Sequence, residues 1–202
     1  QLLLKGDRMV RTGRLSCRSL RVIAFGSVLF SSLTAGCVHM ARDADCTMPA
    51  AQSQATVPLV RAGDLLLIPV KLAGKDAGLF LLDTGAAATF VDISVARRFS
   101  MLPVGSALVT GIAGDETMSL RLCPPMQIGQ IHVGTDMVVE TDLSRIEDLP
   151  KQVVGVIGAP LLQEFPFTID YRASSIVFHE RSAFRPPEVP FVKMNIFDGR
   201  PI

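Results

Sequence analysis

Asp83 is the residue whose neighbours call for a chemical explanation. Leu79, Phe80, Leu81 and Leu82 run directly into it, and Thr84, Gly85 and three alanines follow before the apolar character resumes at Phe90. A carboxylate at the end of an apolar strand is poorly solvated and costly unless it is paired or hydrogen-bonded. Its chemistry would be proton transfer. Thr84 supplies a hydroxyl for a local hydrogen bond, and Gly85 permits a backbone conformation that other residues resist. The same three letters also arise where an Asx turn merely closes a strand, so the stretch alone leaves both uses open. A metal is not expected: His39, His132 and His179 are scattered, with no ligand-like spacing to one another or to a cysteine.

In its wider context the stretch "LFLLDTGAAATFVD" resembles the retropepsin-like aspartic peptidases, in particular their bacterial members with a single Asp-Thr-Gly lobe. "VTGIAGDET" is similar to the family's Gly-rich flap hairpin. "VIGAPLLQEF" is similar to the apolar strand that packs beneath the catalytic loop and enters a short helix, and "FTIDYRASSIVF" to its closing hairpin. The likeness covers roughly residues 57 to 180, and the order of the elements agrees throughout. The resemblance implies a catalytic Asp83 with Thr84 and Gly85 around it. It implies a substrate-covering flap at Gly111, Ile112, Ala113 and Gly114, and loop support from Ile157 and Gly158. It also implies an endopeptidase acting on polypeptides without metal or other cofactor. Two aspartates would share one proton, because like charges about 3 Å apart do not both ionise cheaply.

One chain carries one such motif. Asp64, Asp92 and Asp170 are not followed by Thr/Ser-Gly, Asp115 falls in the flap segment and Asp142 precedes a leucine. The second aspartate is therefore expected from a homodimer mate, Asp83 meeting Asp83 at a twofold axis, or from a second lobe of a longer chain. "VPFVKMNIFDGRPI" from Val189 echoes "VPLVRAGDLLLIPV" from Val57, which fits the start of a second lobe; a tail packed on the first lobe or pairing at a dimer interface is the alternative.

The elements that must position Asp83 are short and mostly extended. "VPLVRAGDLLLIPVKLAGKDAGLFLLDTG" reads as three strands punctuated by Gly-containing turns. In "DISVARRFS", Ile93, Ala96 and Phe99 recur at helical spacing. A hairpin is expected around Gly111 and Gly114, two short strands in "MQIGQIHVGTDMVVE", a strand then a short helix in "VVGVIGAPLLQEF", and a last hairpin around "RAS". Many short strands, few helices and frequent Gly turns predict a small all-β barrel or sandwich; the family resemblance implies the closed acid-protease-like barrel lobe, with one or two short helices.

The N-terminal residues read as a targeting segment. Met9 is the first candidate initiator. Arg11, Arg14, Arg18 and Arg21 precede an apolar run, and the run ends in "LTAGC", which resembles the lipobox of bacterial lipoproteins with Cys37 as the lipidated residue. An ordinary secreted protein is the other reading. The expected organisation is a leader and signal peptide over 1–37, a flexible tether over 38–56, the protease-like lobe over 57–185 and a tail over 186–202. The expected location is the periplasmic side of a bacterial cell envelope, with a lipid anchor to the membrane. Cys46 and Cys123 are left as a possible disulfide pair in that compartment.

Composition narrows the partners. The net charge is +1, tryptophan is absent and tyrosine occurs once, so no basic stripe with interleaved aromatics exists for nucleic acid. "VVGVIGAP" lacks the G-x-G-x-x-G spacing of a nucleotide loop. The rival to an enzyme is an envelope lipoprotein that uses the same fold for peptide binding or assembly, Asp83 being structural.

Overall fold

The computed structural model describes residues 46–49, 52–111, 114–134, 136–186, 188, 196–197 and 200–201. In chain order the elements begin with β1 (Cys46–Thr47), β2 (Gln54–Pro58), β3 (Val60–Ala62), β4 (Leu65–Leu72), β5 (Lys75–Leu82), β6 (Phe90–Asp92) and α1 (Ile93–Arg98). Then come β7 (Leu102–Gly111), β8 (Gly114–Cys123), β9 (Met126–Ile128), β10 (Ile131–Val133), β11 (Asp136–Thr141) and a 3₁₀ turn at Leu143–Arg145. β12 (Val153–Ile157), α2 (Ala159–Leu162), β13 (Phe167–Asp170), β14 (Ser175–His179), β15 (Ile196–Phe197) and β16 (Arg200–Pro201) complete the series.

The local sequence accounts for the hairpins. β4 and β5 are joined at Ala73 and Gly74, both with positive φ (47° and 75°), the backbone that a two-residue hairpin needs to match strand twist. β5 carries the apolar run forward to Asp83. It pairs antiparallel with β4 on one side and parallel with β12 on the other. β6, directly after the Asp83 loop, is flanked by β12 and β11.

Two sheets face each other across the core. β2 exposes and buries residues alternately, sending Ala55 and Val57 inward, and β14 alternates half-buried residues with the buried Ile176 and Phe178. With β13 these strands form a three-stranded sheet. Its inner face packs on Ile68, Val70, Leu72 and Phe80 of the larger sheet. Phe167 and Phe178 meet at 5.9 Å between ring centroids. A second, smaller cluster, Leu67, Leu143, Val153 and Val156, lies apart from this core, with Leu81, Ala86 and Phe90 packed against it. Among the described residues no polar or charged side chain is buried, as the cost of desolvation requires.

The all-β class with two short helices is as the sequence predicts, but the closed barrel is not. The large sheet is an open path, β1-β10-β9-β4-β5-β12-β6-β11-β8-β7, with β3 on β4. Closure would need β7 to pair with β1. β1 has only two residues, while β7 extends ten residues with Leu102 and Leu108 well exposed. The three-stranded sheet covers the core by packing instead. Strand structure also begins inside the segment expected as a tether: β1 pairs with β10, and β2 starts at Gln54. The polar Gln and Ser composition there hides a strand whose inward positions are just Ala55 and Val57. Where two strands were expected after Met126 there are three, β9, β10 and β11. In the expected tail, β15 and β16 pair with each other. The targeting segment, Cys37 included, lies outside the described residues, within which no helix is long and apolar enough to cross a membrane.

Candidate active site

The Asp83 loop, residues 83–89, is seated on the end of β12 and the start of α2. Leu82 is the last residue of β5 to pair in register with β12, opposite Ile157. The Asp83 N–H then donates to the Ile157 carbonyl at 3.0 Å. Further along, the Ala86 carbonyl accepts from the Ala159 N–H at 2.8 Å, and the Thr89 carbonyl from the Val139 N–H at 3.0 Å. The loop is thus pinned at its start, middle and end by three different elements.

Within the loop the chain turns tightly. Asp83 Oδ1 accepts the Gly85 N–H at 2.8 Å, and the Ala86 N–H reaches the Asp83 carbonyl at 3.3 Å. A side chain at Gly85 would put its Cβ 3.2 Å from Oδ1, so glycine keeps the approach to the carboxylate open. Asp83 and Thr84 are half-buried and Gly85 is exposed. The carboxylate is thereby fixed in orientation by one oxygen while remaining accessible.

The Asx turn does not by itself distinguish Asp83. Asp76, Asp92, Asp142 and Asp170 each accept the N–H two residues on in the same way. What sets Asp83 apart is the closeness of its loop to Gly158. A Cβ on Gly158 would lie 2.1 Å from the Ala88 carbonyl oxygen and 2.9 Å from that of Ala86. Only a residue without a side chain lets the two segments meet at this distance. Gly155 serves the strand below in the same sense, since a Cβ there would fall 2.1 Å from an atom of the Phe80 ring. Ile157 is fully buried beneath the loop.

The structure therefore brings together Asp83, Thr84, Gly85, Ile157 and Gly158. Gly111 and Gly114 face each other in register at the end of the β7–β8 hairpin. Ile112 and Ala113 lie outside the described residues. The hairpin's base is fixed to β11 by Arg121 and Glu140, 2.9 Å apart and largely withdrawn from solvent, and Arg121 also donates to the Met101 carbonyl at 3.3 Å.

Sequence reading passed over Asp92. Its carboxylate caps α1 through the Ser94 N–H and hydroxyl, and its second oxygen takes the Leu143 N–H at 3.1 Å. Partial burial pushes its pKa up, but the bonds from Ser94, Leu143 and Ile93 outweigh that and hold it below the usual carboxylate value. The available signal was an aspartate directly before a helical pattern. Behind the loop a small cleft is lined by Thr89, Cys123, Met126, Val133, Asp136 and Leu161, and Asp83 is not among its walls. Cys123 is buried there, its thiol pushed up to about 12 by burial and then by the Asp136 charge. Among the described residues no group of three or more His, Cys, Asp or Glu is placed to hold a metal ion.

Comparison with known proteins bears on this arrangement. Residues 68–161, which span β4 to α2 and contain the whole Asp83 loop and its seat, match a family model described as aspartyl protease. The crystal structure of a retropepsin-like aspartic protease from Rickettsia conorii is similar with a TM-score of 0.43 and 14% sequence identity, over 67% of this chain and 93% of that one. Comparison with curated proteins gives no match.

Proposed function

We propose, from the match of residues 68–161 to the aspartyl protease family model, that the chain hydrolyses peptide bonds with water activated between Asp83 and the corresponding aspartate of a second lobe. The observation that carries the reading is the seating of Asp83: an oriented, half-buried carboxylate on a loop pinned at three points and closed down on Gly158. Rigid placement of this kind is what proton transfer in a transition state requires.

In the proposed reaction the two carboxylates share one proton, and their two apparent pKa values belong to the pair. The ionised carboxylate takes a proton from the water as its oxygen attacks the scissile carbonyl carbon. The protonated partner donates to the carbonyl oxygen. The tetrahedral species then collapses as a proton passes to the leaving nitrogen. Thr84 and Gly85 hold the geometry of the carboxylates, and the hairpin tip at Gly111, Ile112, Ala113 and Gly114 covers the bound polypeptide. The second lobe comes from a dimer mate or from a fused repeat. Cys37 carries a lipid that keeps the lobe at the bacterial envelope, a reading that rests on the arginines, apolar run and "LTAGC" of the sequence. Fatty-acid labelling that bypasses Cys37 would remove that part.

The test is cleavage of a peptide library by wild type and Asp83→Asn across a dilution series. The expected outcome is loss of cleavage in Asp83→Asn with an unchanged circular dichroism spectrum. Wild-type activity per chain should fall on dilution if the mate is a second copy, and should not fall if the second lobe is fused. Equal cleavage by the two proteins ends the aspartic-peptidase reading.

A further inference from the structure

Asp92 lies nine residues after Asp83, at the end of β6, where the chain turns into α1. Its two oxygens do different work. Oδ1 takes the N–H and the hydroxyl of Ser94, which is all that capping α1 requires. Oδ2 takes the N–H of Leu143, 51 residues further along the chain. This second bond takes the first free N–H of the 3₁₀ turn at Leu143–Arg145, far from α1 in sequence. It continues the parallel pairing of β6 with β11, whose last pair is Thr141 opposite Asp92.

Leu143 is where that bond leads. The residue is 4% exposed, and its side chain belongs to the small cluster with Leu67, Val153 and Val156. Packed on the same cluster are Leu81, Ala86 and Phe90. These three bracket Asp83: Leu81 lies before it, Ala86 within its loop and Phe90 just after. The depth at which Leu143 sits thus bears on both flanks of the loop. A backbone N–H on so buried a residue is costly if left without an acceptor, so losing Oδ2 shifts Leu143 toward water.

We infer that Asp92 is a positioning residue for Asp83: by fastening Leu143 into the cluster beneath the loop, it sets where the Asp83 carboxylate stands. The inference rests on the reading of Asp83 as the catalytic carboxylate. Asp92 touches no reacting atom and acts through Leu143.

Two substitutions on the full chain separate this role from helix capping. Asp92→Ser retains a good cap for α1 but has no second oxygen to reach Leu143. Ser94→Ala removes one capping bond and leaves the bond to Leu143 in place. Hydrogen exchange of the amides of residues 83–89 is measured in each, which needs no peptidase activity. Asp92→Ser should raise their exchange about tenfold or more, while Ser94→Ala leaves it within about twofold of wild type. On the cleaved peptide, kcat of Asp92→Ser should fall about tenfold with KM within about twofold, the mark of an interaction felt in the transition state. Unchanged loop exchange in Asp92→Ser, or an equal rise in Ser94→Ala, overturns the inference. A wild type that cleaves nothing sinks the peptidase reading instead, and the exchange result then still decides whether Asp92 holds the loop.

Discussion

Replacing Gly158 by alanine adds one methyl group at the tightest point of the site. Gly158 has φ −88° and ψ 174°, ordinary extended backbone that alanine adopts freely, so the whole effect is one of contact. The new Cβ would stand 2.1 Å from the Ala88 carbonyl oxygen, 2.6 Å from its carbonyl carbon and 2.9 Å from the Ala86 carbonyl oxygen. All three are backbone atoms, and no rotamer change relieves them. Ordinary contact begins near 3.4 Å, so the Ala88 carbonyl must retreat by about 1.3 Å. That movement opens the seam held by Ala159 N–H to Ala86 and by Asp83 N–H to Ile157. Overpacking of this kind costs about 1–3 kcal/mol and each strained hydrogen bond about 1 kcal/mol more. A loss of roughly 3–5 kcal/mol of stability is expected. A displacement near 1 Å at a catalytic group lowers the rate about 10²-fold. The assay is urea unfolding together with kcat/KM under conditions where the variant is folded. Gly63→Ala is the control. Its Cβ meets nothing within 4 Å, so only the positive φ of 62° is strained, and about 1–2 kcal/mol should be lost with activity intact. Wild-type stability and activity in Gly158→Ala would refute the close seating of the Asp83 loop on α2.

Cys123 predicts a response to alkali. Its thiol titrates at about 12 in the folded chain against an ordinary 9.0, so the neutral form is favoured by folding. Below pH 9 that contribution is fully present, and it is lost as pH rises toward 12, by about 1.4 kcal/mol per pH unit. Urea unfolding between pH 8 and 11 should show a steeper decline in wild type than in Cys123→Ala, and parallel slopes would contradict the burial. Phe178→Ala empties the interface between the two sheets, where Phe178 is 1% exposed against Phe167. A loss of about 3–5 kcal/mol is expected in denaturant unfolding, and a loss under about 1 kcal/mol would mean that the small sheet does not hold the core closed.

The sequence by itself determined the all-β class, the short helix after Asp92, the hairpins at their Gly turns and the run of β5 into Asp83. Each is written in nearest neighbours: period-two alternation, helical spacing, or a residue that tolerates positive φ. The likeness to aspartyl proteases was legible as well, because "DTGA" and "VIGAPLL" are contiguous strings that fall within the residues matching that family model. Tertiary structure alone decided the rest. Ala55 and Val57 are too few to announce a strand until β14 lies beside them and the large sheet beneath. Whether the sheet closes depends on the lengths of β1 and β7, which sit at opposite ends of the strand order although the motif strings in between fit a barrel. The use of Gly158 is invisible until the Ala88 carbonyl arrives from 70 residues earlier in the chain. The second bond of Asp92 likewise waits for Leu143. Local patterns fix how each segment is built, since they bias φ and ψ residue by residue. Which buried atoms then come within 3 Å of one another is set by the packing of segments far apart in the chain.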